Sequence, residues 1–309
     1  MNYIGIDIGG TNIKGAIISK TGKILDFKNM DCKQDGREIL NTIINLIESL
    51  KNNNPDKSIK AIGIGTPGVV DVKFGGVIDG CPNIKGWKGI KFIPIIKNKF
   101  NLPVFAHNDV TIMAVGENMF GSAKGKKNVI CVALGTGIGG GIIINEQVYD
   151  GHTNYAGEIG HMIIEVNGRD CNCGSKGCWE AYAGAIGIKN TAKEIMPKYA
   201  ELTPKELFAL ANKDEAAKKI IDKTILYIAV GIANLINIFN PEMIVIGGGI
   251  SQAGDALFKP LLEITPKYTM NLAWKSCKIA PAKFDEKSGV IGAAGYAVLL
   301  SSSLFSASI

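Results

Sequence analysis

The sequence predicts an α/β protein of two lobes. Its 309 residues exceed one small domain and suit two lobes of ~150 residues each. A strand, a glycine-rich turn and a second strand open the chain, and the same pattern recurs from Asn128. Apolar residues at helical spacing follow each of these openings, so strands and helices alternate. One doubly wound sheet carrying extra hairpins is the alternative arrangement.

In chain order, Tyr3 to Ile8 is apolar, Gly9-Gly10 turns, Asn12 to Ser19 is apolar again, and Thr21-Gly22 turns into Lys23 to Asn29. Arg37 to Leu50 carries Ile39, Leu40, Ile43, Ile44, Leu46, Ile47 and Leu50 at helical spacing. Ala61 to Ile64 is a strand that ends at Gly65-Thr66-Pro67-Gly68. After an irregular stretch, Pro103 to Ala106 is a strand and Val110 to Phe120 a helix. Asn128 to Leu134, the turn Gly135 to Gly141, and Ile142 to Ile144 repeat the opening. Asp222 to Phe239 is a long apolar helix, followed by the strand Met243 to Ile246 and a Gly247-Gly248-Gly249 turn. The expected small lobe is 1–121, with a helix near 290–302 packing back on it, and the large lobe is 122–289. The tail from Ser301 to Ile309 is expected to fray.

Composition narrows the function classes. A net charge of +6 comes almost wholly from lysine, since Arg37 and Arg169 are the two arginines. Nucleic-acid readers rely on arginine for bidentate contacts, so no nucleic-acid partner is expected. The scattered lysines instead make a solvated surface with weak attraction for anionic ligands. Seven cysteines form no disulfide framework, which suits a reducing cytoplasmic location. Met1-Asn2-Tyr3-Ile4-Gly5 shows no basic region followed by an apolar core and cleavage site, so no leader is expected, and the nearest approach to a membrane segment, Val290 to Leu300, is shorter than the ~20 residues a span requires. No membrane partner is expected.

Two turns suit phosphates. At Asp7-Ile8-Gly9-Gly10-Thr11-Asn12, glycines let backbone N–H groups approach phosphate oxygens, Thr11 and Asn12 add donors, and Asp7 suits Mg²⁺ directly or through water. Lys14, on the next strand, either reaches a phosphate or faces solvent. Gly135-Thr136-Gly137-Ile138-Gly139-Gly140-Gly141 is a costly way to build a plain hairpin, at ~0.5–1 kcal/mol per glycine relative to alanine, so ligand contact is expected there. It has no lysine in P-loop register, nor the later acid of a dinucleotide fold. Gly247, Gly248 and Gly249 either contact adenosine or simply begin a helix.

Asp109, in Ala106-His107-Asn108-Asp109, stands where a strand gives way to a helix. It is either an N-cap or a base that accepts a proton from a hydroxyl attacking a phosphoryl group. Asn108, donor and acceptor at once, suits a sugar hydroxyl. Further on, CxCxxxxC (Cys171, Cys173, Cys178), with His161 ten residues upstream of Cys171, supplies one nitrogen and three thiolates. That set matches tetrahedral, structural Zn²⁺ with no open position. A metal-bound His161 has a fixed ring whose other nitrogen can meet a substrate hydroxyl, and Glu158 and Glu180 flank the ligands.

Gly157-Glu158-Ile159-Gly160-His161 followed by Cys171-Asn172-Cys173-Gly174-Ser175-Lys176-Gly177-Cys178-Trp179-Glu180 resembles the signature of the bacterial ROK-family sugar kinases. The resemblance runs from Asp7 to about Ala297. It implies the two-lobed hexokinase/actin-like ATPase fold with an interlobe cleft, and ATP-dependent phosphorylation of a hexose, glucose foremost. N-acetylmannosamine or N-acetylglucosamine is the alternative substrate. It further implies Asp109 as catalytic base and Asn108, Gly68, Asn83, Glu158, His161 and Glu180 at the sugar. His161, Cys171, Cys173 and Cys178 become zinc ligands. Asp7, Gly9, Gly10, Thr11 and the Gly135 to Gly141 turn become phosphate-binding, in a homodimer or homotetramer.

The chain departs from the family pattern at His107, where glutamate is frequent in the glucokinases. It departs again at Val110-Thr111-Ile112-Met113, where a small-residue run is commoner. Glu180-Ala181-Tyr182-Ala183 is nearer the glucokinases than the hexosamine kinases. The family also contains transcriptional repressors with a helix-turn-helix ahead of the phosphate motif; six residues precede Asp7 here, so the enzyme is the expectation.

Overall fold

Alternating apolar residues at the N-terminus produce an antiparallel meander. Strand β1 (Asn2–Ile8) pairs with β2 (Asn12–Ser19), and β2 with β3 (Ile24–Asp31). These come from a computed structural model that describes residues 1–32, 35–81 and 84–306, with side chains to Ser302. Helix α1 (Gly36–Asn53) follows; Asp35 caps it by accepting from the backbone N–H groups of Arg37 and Glu38. Its buried Ile39, Ile43, Leu46, Ile47 and Leu50 pack with Ile4, Ile6, Ile8 and Ile17 of the sheet.

β4 (Ile59–Thr66) lies parallel to β1. The hairpin of β5 (Val69–Asp71) and β6 (Gly76–Asp79), then α2 (Phe92–Phe100), fill the stretch the sequence left irregular. β7 (Val104–Asn108) completes the sheet beside β4 and runs into α3 (Asp109–Phe120). The strand order is β3-β2-β1-β4-β7.

The second sheet repeats this plan. β8 (Val129–Leu134), β9 (Ile138–Ile144) and β10 (Gln147–Val148) form the meander. Helices α4 (Glu180–Ala183), α5 (Ala185–Ile195), α6 (Pro204–Leu210) and α7 (Glu215–Phe239) precede β11 (Met243–Gly247). Then α8 (Asp255–Ile264) and α9 (Asn271–Ser276) lead to β12 (Lys278–Pro281). The order β10-β9-β8-β11-β12, with β8, β11 and β12 parallel, matches the first sheet strand for strand. Two separate five-stranded sheets replace the single doubly wound alternative.

Two compact units result. One holds Met1–Gly125, Asp150–Tyr155 and the chain from Lys283; the other holds Lys126–Tyr149 and Ala156–Ala282. The last helix, α10 (Ser288–Ser306), lies in the first unit and starts before and ends after the expected 290–302. It runs through most of the tail expected to fray. It packs onto the sheet through glycines, because a Cβ at Gly5 or Gly63 would overlap the carbonyls of Val290 and Ala293.

Among the described residues, α7 is long and apolar enough to cross a membrane. Its Ile220, Ile221, Ile228, Ile232 and Ile236 are buried in the core of the second unit, as suits the central helix of a packed domain.

Candidate active site

In the first unit, β7 delivers Asn108 and Asp109 to the start of α3. Asn108 is the cap: its Oδ1 accepts from the N–H groups of Val110 at 2.9 Å and Thr111 at 3.3 Å. Asp109 is the first residue of the helix, and its own Oδ1 accepts from Val110 N–H at 2.9 Å. The capping role open to Asp109 in the sequence therefore belongs to its neighbour. The Asn108 amide also donates to the Gly68 carbonyl at 3.4 Å, and Gly68 sits at φ 93°, a conformation that favours glycine. Gly68, Asn108 and Asp109 thus form one group; Asn83 lies outside the described residues.

Asp7 lies on β1 between Lys14 of β2 and Gly65 of β4. Its carboxylate packs against Gly289 in the first turn of α10, where a Cβ would overlap it. Burial pushes its pKa up to about 6, opposed by the nearby Lys14 ammonium. Lys14 is directed at the backbone of the first unit, donating to the Glu286 carbonyl at 3.1 Å. Next to them, Gly9 N–H donates to the Asn12 carbonyl at 2.9 Å, and the Asn12 amide to Thr11 Oγ1 at 3.1 Å. Gly10 and Thr11 form the exposed tip.

The raised pKa has a checkable sign. Asp7 is largely neutral in folded and unfolded chains below about pH 3. As pH rises toward 6 the unfolded chain ionises it first, so its contribution to stability is lost across that window, by ~3 kcal/mol at most. Asp7→Asn is therefore expected to raise Tm at pH 8 and leave it nearly unchanged at pH 3, without Mg²⁺ or nucleotide. Equal shifts in thermal unfolding at both pH values would contradict the burial of this charge.

In the second unit, the expected turn from Gly135 to Gly141 is shorter: only Gly135 to Gly137 turn, and Gly139 to Gly141 belong to β9, paired with β8. Several of these glycines make room for other parts of this unit. A Cβ at Gly137 would overlap the Glu180 carboxylate, which accepts from Ile138 N–H at 2.9 Å. A Cβ at Gly140 would lie 2.6 Å from the Gly157 carbonyl. The turn is thereby fastened to Glu180 on α4 and to the segment carrying Glu158 and His161. Gly135 has open space beside it. At the end of β11, Gly248 (φ 87°) leaves no room for a Cβ against Leu134 backbone, and Gly249 begins a short 3-10 turn facing open space.

His161 Nε2 stands 3.7 Å from Glu158 Oε2, while Nδ1 stands 3.6 Å from Cys171 Sγ. Partial desolvation raises the Glu158 pKa; His161 lowers it and the negative charge of Glu180 raises it further. Cys173 and Cys178 sulfurs are 3.6 Å apart, and the four donor atoms of His161, Cys171, Cys173 and Cys178 lie within 4.8 Å of one another. Tetrahedral zinc, with bonds of ~2.3 Å to sulfur and ~2.0 Å to nitrogen, requires donors about 3.5–3.8 Å apart. The residues fit that ion. Burial and the neighbouring thiols hold Cys178 at about 12, whereas the Ser175 N–H draws Cys173 down to about 7.

Sequence reasoning missed Arg169, which fastens this loop. Its guanidinium donates to Glu194, to the Ala181 and Gly187 carbonyls and to Thr191, and stacks on the Tyr182 ring. All of its N–H donors are engaged. The one available signal was its rarity in a lysine-rich chain.

The model of the ROK family matches residues 3–298 of this sequence. The chain is 37% identical over 308 residues to a glucokinase of Halalkalibacterium halodurans, covering 94% of this chain and 93% of that protein. Among solved structures it is similar to a ROK hexokinase from Thermus thermophilus, with TM-score 0.87 and 28% identity over 98% of this chain and all (100%) of that one. It is also similar to a ROK family glucokinase from Streptomyces griseus in complex with glucose and AMPPNP. There the TM-score is 0.81 and the identity 28%, over 96% of this chain and 99% of that one.

Proposed function

The chain belongs to the ROK family, and from that premise we propose that it transfers the γ-phosphoryl group of ATP to the 6-hydroxyl of glucose, with Asp109 as the base. The fold is the hexokinase/actin-like ATPase fold. The observation that carries the role of Asp109 is the division of work at the β7–α3 junction. Asn108 accepts both capping N–H groups, so the start of α3 does not depend on Asp109 for its cap.

A hydroxyl is a poor nucleophile until its proton has somewhere to go as the bond to phosphorus forms. Asp109 accepts that proton. Gly68, Asn83, Asn108, Glu158, His161 and Glu180 are assigned to the sugar. The Asn108 amide, directed at the Gly68 carbonyl, orders this part of the sugar site before substrate arrives. The open tips at Gly10-Thr11 and Gly135-Thr136, with Gly9, Asn12, Gly137 and Gly139 shaping them, are assigned to the phosphates. Gly249, next to Gly247 and Gly248, is assigned to the adenosine. Lys14 acts through Asp7, as its counter-charge.

Mg²⁺ bound near Asp7 supplies charge neutralisation at the phosphates. Asp7, poorly solvated alone, is stabilised in its ionised form by such a cation. Zn²⁺ is assigned to His161, Cys171, Cys173 and Cys178, which would hold it; bound there it would fix the imidazole, whose Nε2 lies 3.7 Å from Glu158. A cytoplasmic location and a homodimeric or homotetrameric assembly belong to the same proposal.

The experiment is ADP release at fixed ATP across glucose, other hexoses, N-acetylmannosamine and N-acetylglucosamine. Glucose is expected to give the highest kcat/KM. A higher value for an N-acetylhexosamine would keep the chemistry and change the substrate.

A further inference from the structure

His107, the departure immediately before the Asn108-Asp109 pair, has a structural role of its own. It is the penultimate residue of β7, the edge strand of its sheet, and is 9% exposed. Its ring nitrogens do different work. Nδ1 accepts the backbone N–H of Asn108 at 2.8 Å, and Nε2 lies 2.7 Å from Asp150 Oδ1. A nitrogen that accepts carries no proton, so the proton resides on Nε2 and is donated to the Asp150 carboxylate.

The ring also meets Tyr296 of α10 edge-on, with centroids 5.5 Å apart. Asp150 opens the short segment that belongs to the first unit. That segment is held further by Asn154 donating to the Val70 carbonyl at 3.2 Å and Tyr155 to Asp79 at 2.7 Å.

We propose that His107 and Asp150 are positioning residues for phosphoryl transfer. Asp150 aims the imidazole, the imidazole holds the Asn108 N–H, and that bond sets the orientation in which Asn108 caps α3 and Asp109 meets the acceptor hydroxyl. The proposal rests on Asp109 being the base. Its physical content is that a small rotation at the end of β7 moves the Asp109 carboxylate, and a shift of ~1 Å is enough to cost about 100-fold in rate.

The test uses the full chain with glucose and ATP. His107→Ala and Asp150→Ala are expected to lower kcat by about 10- to 100-fold and to leave the KM for ATP near its wild-type value. Two conservative variants are expected to restore most of the loss. Asp150→Asn keeps an acceptor for Nε2–H, and His107→Asn keeps an acceptor for the Asn108 N–H. Combining His107→Ala with Asp109→Asn is expected to be no slower than Asp109→Asn alone, since a group acting through another adds nothing once that other is gone.

Turnover near wild type in either alanine variant overturns the proposal, as does a fully multiplicative loss in the double variant or failure of both conservative variants to restore kcat. If His107→Ala does not fold, the Asp150 pair decides alone, because that side chain is 37% exposed and can be replaced without opening the core. Wild-type turnover in Asp109→Asn would instead remove the underlying base.

Discussion

Asp109→Asn is expected to lower kcat by about 10²- to 10⁴-fold, the range over which a positioned general base acts, while the KM for sugar stays near wild type. The substitution keeps the size and hydrogen-bonding reach of the side chain and removes its ability to take a proton. Because Asn108 is the cap of α3, the Asp109 variant should unfold at nearly the wild-type temperature. Asn108→Ala is the complementary control. It removes the acceptor of the Val110 and Thr111 N–H groups and is expected to cost about 0.5–2 kcal/mol of stability. Steady-state ADP release and thermal unfolding on the two variants separate chemistry from scaffolding. A loss of stability in Asp109→Asn with unchanged turnover would reverse the assignment.

The second large effect is expected at the thiol cluster. Protein purified without chelators should carry about one zinc per chain, and Cys173→Ser should lose it. Cys173 is the most exposed of the three thiols and the one already drawn toward ionisation by the Ser175 N–H. Without the metal His161 would lose its anchor, and the sugar KM is expected to rise by about 10- to 100-fold, the range over which disturbed metal-site partners change affinity or activity. The KM for ATP should change much less. Elemental analysis supplies a readout independent of turnover. Zinc-free wild-type protein with full activity would remove the metal from the account.

What the sequence made legible divides along physical lines. The thiol cluster was readable because three of its four donors lie within one loop and their spacing alone defines a tetrahedral set. The glycine turns were readable as turns but not in extent. A glycine in β9 and a glycine in a turn look alike in sequence, and only the approach of Glu180 to Gly137 and of Gly157 to Gly140 shows why each is needed.

Helix α7 was expected from Asp222 but begins at Glu215, because Asp214 caps a polar first turn that carries little apolar periodicity. β5 and β6 are too short to show a period, at three and four residues, and α2 is broken up by Pro94, Lys97 and Lys99. The His107–Asp150 bond joins residues 43 positions apart, and no local pattern announces a partnership of that kind. The sequence places Asn108 and Asp109 at a strand-to-helix junction, and the geometry shows that Asn108 caps the helix.

The central claim is that this chain phosphorylates a hexose with ATP, and product analysis tests it most directly. Incubated with ATP, Mg²⁺ and glucose, the purified protein should form glucose 6-phosphate and ADP in equal amounts, as read by phosphorus NMR. No sugar phosphate from glucose or any hexose or N-acetylhexosamine, or ADP formed without a phosphorylated sugar, would contradict it.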